Sequence, residues 1–378
     1  MTTNPSARLH PATVRLPLVC RSHLHYPSLN TRIEEVSACA AKSARKSLPA
    51  PDRLNAACAT WNLSALIASD CGLPGYARNL CLRQLHLFRQ AWPVTGDTAI
   101  AALQPLVNLV RLTARTGQKN AAYDQLTTLH HAVHHGGPVT AHGHTIDLTS
   151  FTDDATRRHI RPWLRFVMLD DGTRLLASTS QWAKAAAHAS AYDDTPSRLA
   201  EARQARTIAA LADGAPARAA SLIGSATVTD PGETAVSEVL RYLVRDTTDS
   251  ATPSHHHALA STVENIFVKA PAHTRMFRTR LALTVIELAP PGSTAQADLR
   301  NTVVHDVLAA RDFYAAREIL RRSTTPTDTC HRTQLQDIVR RAGLGVGRLP
   351  EGALPVIEKA TDIAGESLTQ CLVPDGKA

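Results

Sequence analysis

The stretch Trp61–Phe88, "WNLSALIASDCGLPGYARNLCLRQLHLF", decides the fold that we predict for this chain. Two runs with the apolar periodicity of α-helices flank a Cys-Gly-Leu-Pro-Gly break. Ala65, Gly72 and Ala77 are small, so two antiparallel helices can approach closely at these positions. Trp61 is large enough to fill the space between neighbouring hairpins. The stretch therefore predicts a helix hairpin, with the break as its link.

The same spacing recurs along the chain. Leu106, Val110, Gly117 and Ala122 occupy the four corresponding positions in the next predicted hairpin. Three later pairs match at the turn and at the small residue that follows it, namely Ser180 with Ala185, Gly214 with Ala219, and Arg311 with Ala316. The distance between successive small residues drifts, from 45 (77 to 122) to 63 (122 to 185) to 34 (185 to 219). We therefore predict stacked hairpins with inserts over roughly 51–342.

This pattern resembles the tetratricopeptide repeat in a degenerate form. It is also similar to the divergent helical-repeat proteins that are common in actinobacteria. The resemblance implies an all-α fold, an α–α superhelix of stacked antiparallel helix hairpins, with a groove lined by the first helix of each hairpin. The groove positions that it implies fall on Asn62, Asp70, Gln104, Arg111, Arg115, Asp170, Arg174, Glu201, Gln204, Asn301 and His305. The competing interpretation of these polar side chains is a solvated helix face.

Three segments are predicted along the chain. An N-terminal arm with one short helix covers 1–49, the tetratricopeptide-like domain covers 50–342, and a C-terminal arm covers 343–378. The Gly-rich "GLGVGRLPEG", 343–352, has no following Lys-Ser/Thr and no preceding strand, so we interpret it as a linker and not as a phosphate-binding loop. A short loop or β-hairpin insertion is predicted near 136–156, around His142-Gly143-His144.

Composition and charge favour a globular helical protein and disfavour some classes of partner. The apolar fraction of 44% is enough for a sizeable core, and the low aromatic content of 4% suits closely packed Ala- and Leu-rich helices. The formal charge of +8 comes mainly from arginines that are scattered along the chain, which disfavours nucleic acid as a partner. No window approaches 18 consecutive apolar residues, so we expect no membrane span. Seven cysteines without a C-x-x-C motif favour a reducing cytoplasm.

Motifs for metal or nucleophilic chemistry are weak. The pairs His130/His134 and His131/His135 have the spacing that places two imidazoles on one helix face, as a zinc site requires. No H-E-x-x-H, no paired cysteines and no acidic residue accompany them in this run, so we expect a polar helix end and no metal. No G-x-S-x-G nucleophile elbow occurs either. We expect no cofactor.

The segment 153–176 is denser in charge than its surroundings. Arg158, Arg161 and Arg165 are spaced three and four residues apart and share one helix face. Clustered guanidinium groups bind carboxylate, phosphate or sulfate, so this face is a candidate site for a small anionic ligand. The alternative is a solvent-exposed arginine stripe paired with local aspartates.

Two hypotheses for function arise, and the sequence leaves both open. The first is a binding or scaffold protein that recognises a protein or peptide in its groove. The second is a helical subunit of a two-component biosynthetic enzyme that acts on a small anionic substrate, by ring closure with loss of an anionic leaving group. In an enzyme of that kind, Asp70 or Asp171 would be the base and the arginines would hold the anion.

Overall fold

A computed structural model of the chain describes residues 9–18, 27–269, 271–290, 293–322 and 328–373. The described residues are helical apart from turns, loops, one isolated β-bridge and one two-stranded sheet, which confirms the predicted all-α class. The chain divides into two compact units. The 28–171 unit comprises Ser28–Asp171 and Arg340–Ala378, and the 172–339 unit comprises Met1–Pro27 and Gly172–Val339. The predicted segment boundaries at 49 and 342 stay predictions.

In chain order the α-helices are α1 (Leu29–Ser43), α2 (Ala50–Asp70), α3 (Pro74–Gln90), α4 (Gly96–Arg115), α5 (Lys119–His135), α6 (Asp154–Val167), α7 (Thr173–Ala177), α8 (Trp182–Tyr192), α9 (Glu201–Ala212), α10 (Pro216–Gly224), α11 (Pro231–Thr247), α12 (Pro253–Lys269), α13 (Arg275–Glu287), α14 (Thr294–Ala310), α15 (Phe313–Arg321), α16 (Thr329–Arg341) and α17 (Ala353–Leu372). A π-helical turn, Met168–Gly172, follows α6. Short 3-10 helices cover Pro11–Arg15 and Ala272–Thr274.

The hairpin turns lie where the repeat spacing predicts them. Gly72, Gly117, Ser180, Gly214 and Arg311 all adopt positive φ, between +52° and +92°. A left-handed residue is the usual way to end a helix and reverse the chain. The small residue five positions later is fully buried in every hairpin, and these residues are Ala77, Ala122, Ala185, Ala219 and Ala316. Close helix packing therefore explains why each of these positions is alanine.

The predicted insertion is a β-hairpin. Strand β1 (Pro138–Ala141) pairs antiparallel with β2 (His144–Asp147), with Val139 opposite Ile146. His142 and Gly143 form the turn, both with positive φ, as a tight two-residue turn requires. The His142 Nε2 atom lies 3.1 Å from the Leu109 carbonyl oxygen and 3.1 Å from Thr113 Oγ1. These contacts fasten the tip of the hairpin to α4.

The core of the 28–171 unit begins where α1, α2 and α17 meet. Leu29, Val36, Ile67 and Ile357 are buried against one another there. The segment predicted as a C-terminal arm thus contains a helix that packs on both α1 and α2. The loop before that helix caps α2, because the Gly345 and Gly347 N–H groups donate to the Asp70 and Cys71 carbonyl oxygens, each at 2.7 Å. Carbonyls at a helix end otherwise lack partners within the helix.

The 172–339 unit continues the all-α pattern. Its helices pack largely on their chain neighbours, as hairpin stacks do. The 3-10 helix Pro11–Arg15 packs on α13, where Glu287 pairs with Arg15 at 2.8 Å and with Arg322 at 3.5 Å. Among the helices that the structure describes, none is both long and apolar enough to cross a membrane.

Candidate functional site

The first helices of the first two hairpins, α2 and α4, contact each other and run parallel. Their pairing is visible in two side-chain contacts that join residues 46 positions apart. Asn108 Nδ2 donates to Asn62 Oδ1 at 2.9 Å, and Arg115 Nη1 donates to Ser69 Oγ at 3.0 Å. The constant separation places the same repeat position of each hairpin side by side.

Polar side chains follow both helices along this side. They recur at helical spacing, seven residues apart on α2 and four, three and four apart on α4. We define the α2/α4 face by Asn55, Asn62 and Ser69 on α2 and by Gln104, Asn108, Arg111 and Arg115 on α4. Of the predicted groove residues, Asn62, Gln104, Arg111 and Arg115 belong to this face.

Near the start of both helices, the α2/α4 face contains a groove of about 700 Å³. Its polar lining includes Asn55, Asn62, Gln104 and Thr98, and Asp97 stands on its α4 side. Apolar lining comes from residues such as Leu54 and Ile100. Uncharged amides thus supply most of the polar lining at one end of the face, and the guanidinium groups of Arg111 and Arg115 lie toward the other end.

Asp70 does not point into this groove. Its carboxylate is fully buried, and Oδ2 lies 2.8 Å from Nη2 of Arg32, whose side chain is only 2% exposed. Oδ1 accepts a hydrogen bond from Arg115 Nη1 at 3.0 Å. The cause is the cover over the last turn of α2, which α1 and the loop through Gly345 provide. A carboxylate held in this way stabilises the fold and cannot reach a substrate as a general base.

The second base candidate, Asp171, is also held by arginine. The Arg111 Nε and Nη2 atoms donate to its carboxylate at 3.1 and 2.9 Å. The Asp171 side chain is 18% exposed and that of Arg111 is 45% exposed. This bidentate pair joins the end of the π-helical turn to α4, and leaves the Arg111 Nη1 group as the part of the fork that Asp171 does not use.

The remaining predicted residues lie elsewhere. Arg158 and Arg161 are exposed on α6, and Arg165 is half-buried on the same helix. Asp170 is half-buried in the π-helical turn, and Arg174 belongs to the 172–339 unit. A small anionic ligand on the α6 arginines stays a prediction.

Four histidines lie at the end of α5, the helix that precedes the α6 arginines along the chain. The ring centroids of His130 and His134 lie 4.6 Å apart, and those of His131 and His135 lie 4.7 Å apart. Burial lowers the pKa of His134, and the charge of Arg161 lowers it further. Within the described ranges, no group of three or more His, Cys, Asp or Glu side chains is arranged to hold a metal ion.

The buried cysteines of the 28–171 unit are poor nucleophiles. Burial raises the pKa of Cys58, which lines the groove, to about 12, and it raises the pKa of Cys81 to about 12. Thiolate, the reactive form, is therefore scarce at neutral pH. Burial also raises the pKa of Cys71, which packs in the core as a small apolar residue. Cys20 lies outside the described residues.

Sequence reasoning missed part of the face. Asn55 and Asn108 belong to it but match no position that the repeat resemblance marks. Their signal was nonetheless present, because Asn55 precedes Asn62 by seven residues and Asn108 follows Gln104 by four. No comparable signal predicted Arg32, which meets Asp70 across 38 residues of chain.

Comparisons with known proteins assign no family to this chain. No protein-family model matches this chain, and no curated protein or solved structure matches it either.

Proposed function

We propose that this protein is a binding module, and that the α2/α4 face of the 28–171 unit binds an extended segment of a partner protein. The observation that carries the proposal is the groove of about 700 Å³ lined by side-chain amides from two parallel, adjacent helices. Such a surface presents donors and acceptors together in a fixed arrangement.

Carboxamides suit a peptide backbone because each has two N–H donors and a carbonyl acceptor. Asn55 is exposed and Gln104 is half-exposed, so both are accessible from the groove. In the Asn108–Asn62 contact, one amide uses a single N–H and the other uses its carbonyl oxygen. The Asn62 amino group and the Asn108 carbonyl are left for a partner. Hydrogen bonds to the peptide backbone supply affinity, and contacts with the partner's side chains supply specificity.

The length of the face fits a short extended segment. Asn55 and Ser69 are fourteen residues apart on α2, which corresponds to about 21 Å at 1.5 Å per residue. An extended chain covers that length with about six residues. Charge gives the segment a direction, because Asp97 lies at the amide end and Arg111 and Arg115 lie at the other. We expect a basic residue near Asp97 and a carboxylate near the arginines.

A blocking variant with a matched control tests the proposal. Ala101 lines the groove, so Ala101→Trp fills it, whereas Ala121→Trp places the same side chain on an exposed site of α5. The full chain and both variants are used as baits in an extract of the source cells, and captured proteins are identified by mass spectrometry. We expect a protein that the wild type and Ala121→Trp retain and that Ala101→Trp loses.

A captured protein is then mapped with overlapping peptides and fluorescence anisotropy. We expect one segment of about six residues whose Kd rises in Gln104→Ala, because that variant loses an amide contact. Retention of the partner by Ala101→Trp, or a chain that captures nothing, would contradict the proposal. The enzyme-subunit alternative gains no support from Asp70 and Asp171, since arginines hold both of its base candidates.

A further inference from the structure

A second groove, of about 1280 Å³, runs between α3 and α17. We refer to it as the α3/α17 groove. Both helices pack on α2, and contacts between them show that they run parallel. Tyr76 donates to Glu358 at 2.6 Å, and further along Arg83 Nη2 donates to Asp362 at 3.0 Å. Two parallel helices on a third helix leave an open channel above it.

The floor of the α3/α17 groove is apolar. Leu82 and Leu87 of α3 are its accessible apolar side chains, and Trp61 of α2 lies beneath them, buried under the Arg83 guanidinium. Gly365 brings the bare backbone of α17 to this floor, because a Cβ at that position would lie 3.6 Å from both Leu87 Cδ1 and Trp61 Cζ2. A large side chain at position 365 would therefore occupy the channel itself.

The two walls carry opposite charge. Arg78 supplies the positive charge on the α3 side, where His86 also lines the groove, and Asp362 and Glu366 supply the negative charge on the α17 side. Arg83 bridges the walls over the Trp61 ring, with its guanidinium carbon 5.1 Å from the ring centroid. An occupant that keeps its charges satisfied must be acidic along one edge, basic along the other, and apolar between them.

We propose that the α3/α17 groove binds an amphipathic α-helix of a partner protein, with an acidic edge against Arg78 and His86 and a basic edge against Asp362 and Glu366. The length agrees, because the lining positions on α3 extend from Gly75 to Leu87, about 18 Å or three helical turns. The volume exceeds the range of roughly 300–1000 Å³ that is usual for small-molecule sites. A helix lying on an apolar floor between two helices is a standard recognition mode.

This groove is separate from the α2/α4 face. The two grooves have no lining residue in common, so the second proposal does not depend on the first.

The test selects helices against the full-length chain. A displayed library of 14-residue helical peptides carries a fixed Leu/Ala stripe, and the positions on its two edges vary among Glu, Lys, Ser and Ala. We expect enriched peptides with Glu on one edge and Lys on the other. Absence of enrichment, or enriched peptides without this division of charge, would overturn the proposal.

Variants then locate the binding site by fluorescence anisotropy of the enriched peptides. Arg78→Glu and Gly365→Leu are each expected to weaken binding by about tenfold or more. Arg89→Glu is the control, because Arg89 is exposed on α3 but does not line the groove. Circular dichroism verifies folding. Should Gly365→Leu fail to fold, Glu366→Lys replaces it, and reselection on Arg78→Glu must shift the acidic edge toward Lys. Binding that survives both Arg78→Glu and Glu366→Lys would refute the location.

Discussion

Replacing Asp70 by Asn tests the buried ion pair that holds the end of α2. The substitution keeps the shape of the side chain and removes its charge. Arg32 then remains with its side chain 2% exposed and without the carboxylate that lies 2.8 Å from its Nη2 atom. Arg115 is affected less, because its side chain is 45% exposed and water can solvate it.

The magnitude follows from that difference in exposure. Removing one partner of a buried pair destabilises by about 3–5 kcal/mol, since the remaining charge is still buried. We expect Asp70→Asn to lower the free energy of unfolding of the 28–171 unit by this amount. Arg115→Ala should cost less than Asp70→Asn, because the Arg115 side chain is 45% exposed and the buried Asp70 carboxylate keeps its contact with Arg32. Arg32→Met combined with Asp70→Asn removes both charges, and the double variant should be more stable than Asp70→Asn alone.

Thermal unfolding followed by circular dichroism measures these effects. About 2–4 °C per kcal/mol is usual for a unit of 150–250 residues, so Asp70→Asn should lower Tm by roughly 6–20 °C. Asp97→Asn is the control, because that carboxylate is 93% exposed and should change Tm very little. A Tm drop for Asp70→Asn as small as that of the control would refute the buried pair. So would a double variant less stable than Asp70→Asn.

Three further predictions concern the backbone, a buried histidine and the thiols. Gly343→Ala should lower the free energy of unfolding, measured in urea, by about 1–3 kcal/mol, because φ is +69° and the new Cβ would lie 2.7 Å from a leucine methyl. Gly75→Ala is the control and should be near neutral, because a Cβ there would have nothing within 4 Å. Equal effects of the two substitutions would contradict the prediction. Burial lowers the pKa of His256 in the folded protein, so as the pH falls the unfolded chain takes up a proton at this residue before the folded protein does. Stability should therefore fall as pH drops below about 6.5, less steeply in His256→Gln, and parallel pH profiles would show that this histidine has no part in it. Iodoacetamide at pH 8 should alkylate the exposed Cys330 of the native protein and spare the buried Cys58, whose pKa is raised to about 12. Peptide mass spectrometry measures the labelling of each cysteine. Equal labelling would mean that Cys58 is accessible.

The two grooves arise from the same kind of helix packing. Each lies where helices pack on a common neighbour and leave polar side chains at helical spacing along an open channel. The α2/α4 face offers uncharged amides, which suit a peptide backbone. The α3/α17 groove offers walls of opposite charge around an apolar floor, which suit a folded helix. The chemistry of each lining, together with its dimensions, separates the proposed occupants.

Part of the candidate site was predictable. Repeat spacing alone placed Asn62, Gln104, Arg111 and Arg115 on one face, because successive hairpins repeat the same helix positions. The same reasoning failed for the orientation of Asp70. Repeat position determines which face of α2 a residue occupies, but the cover over that face comes from α1 and from the loop through Gly345, which the hairpin pattern does not contain.

The sequence by itself determined the helix hairpins. Their signals are local, since a residue with positive φ ends one helix and a fully buried alanine five residues later allows the next helix to pack closely. Steric limits on φ and on helix separation act within a few residues, so a short stretch of sequence is enough to predict their effect. Only the tertiary structure decided how α17 returns to the first hairpin, where Arg83 meets Glu358 across 275 residues. That pairing, the buried Asp70 and both grooves depend on packing between distant segments, which no short pattern encodes.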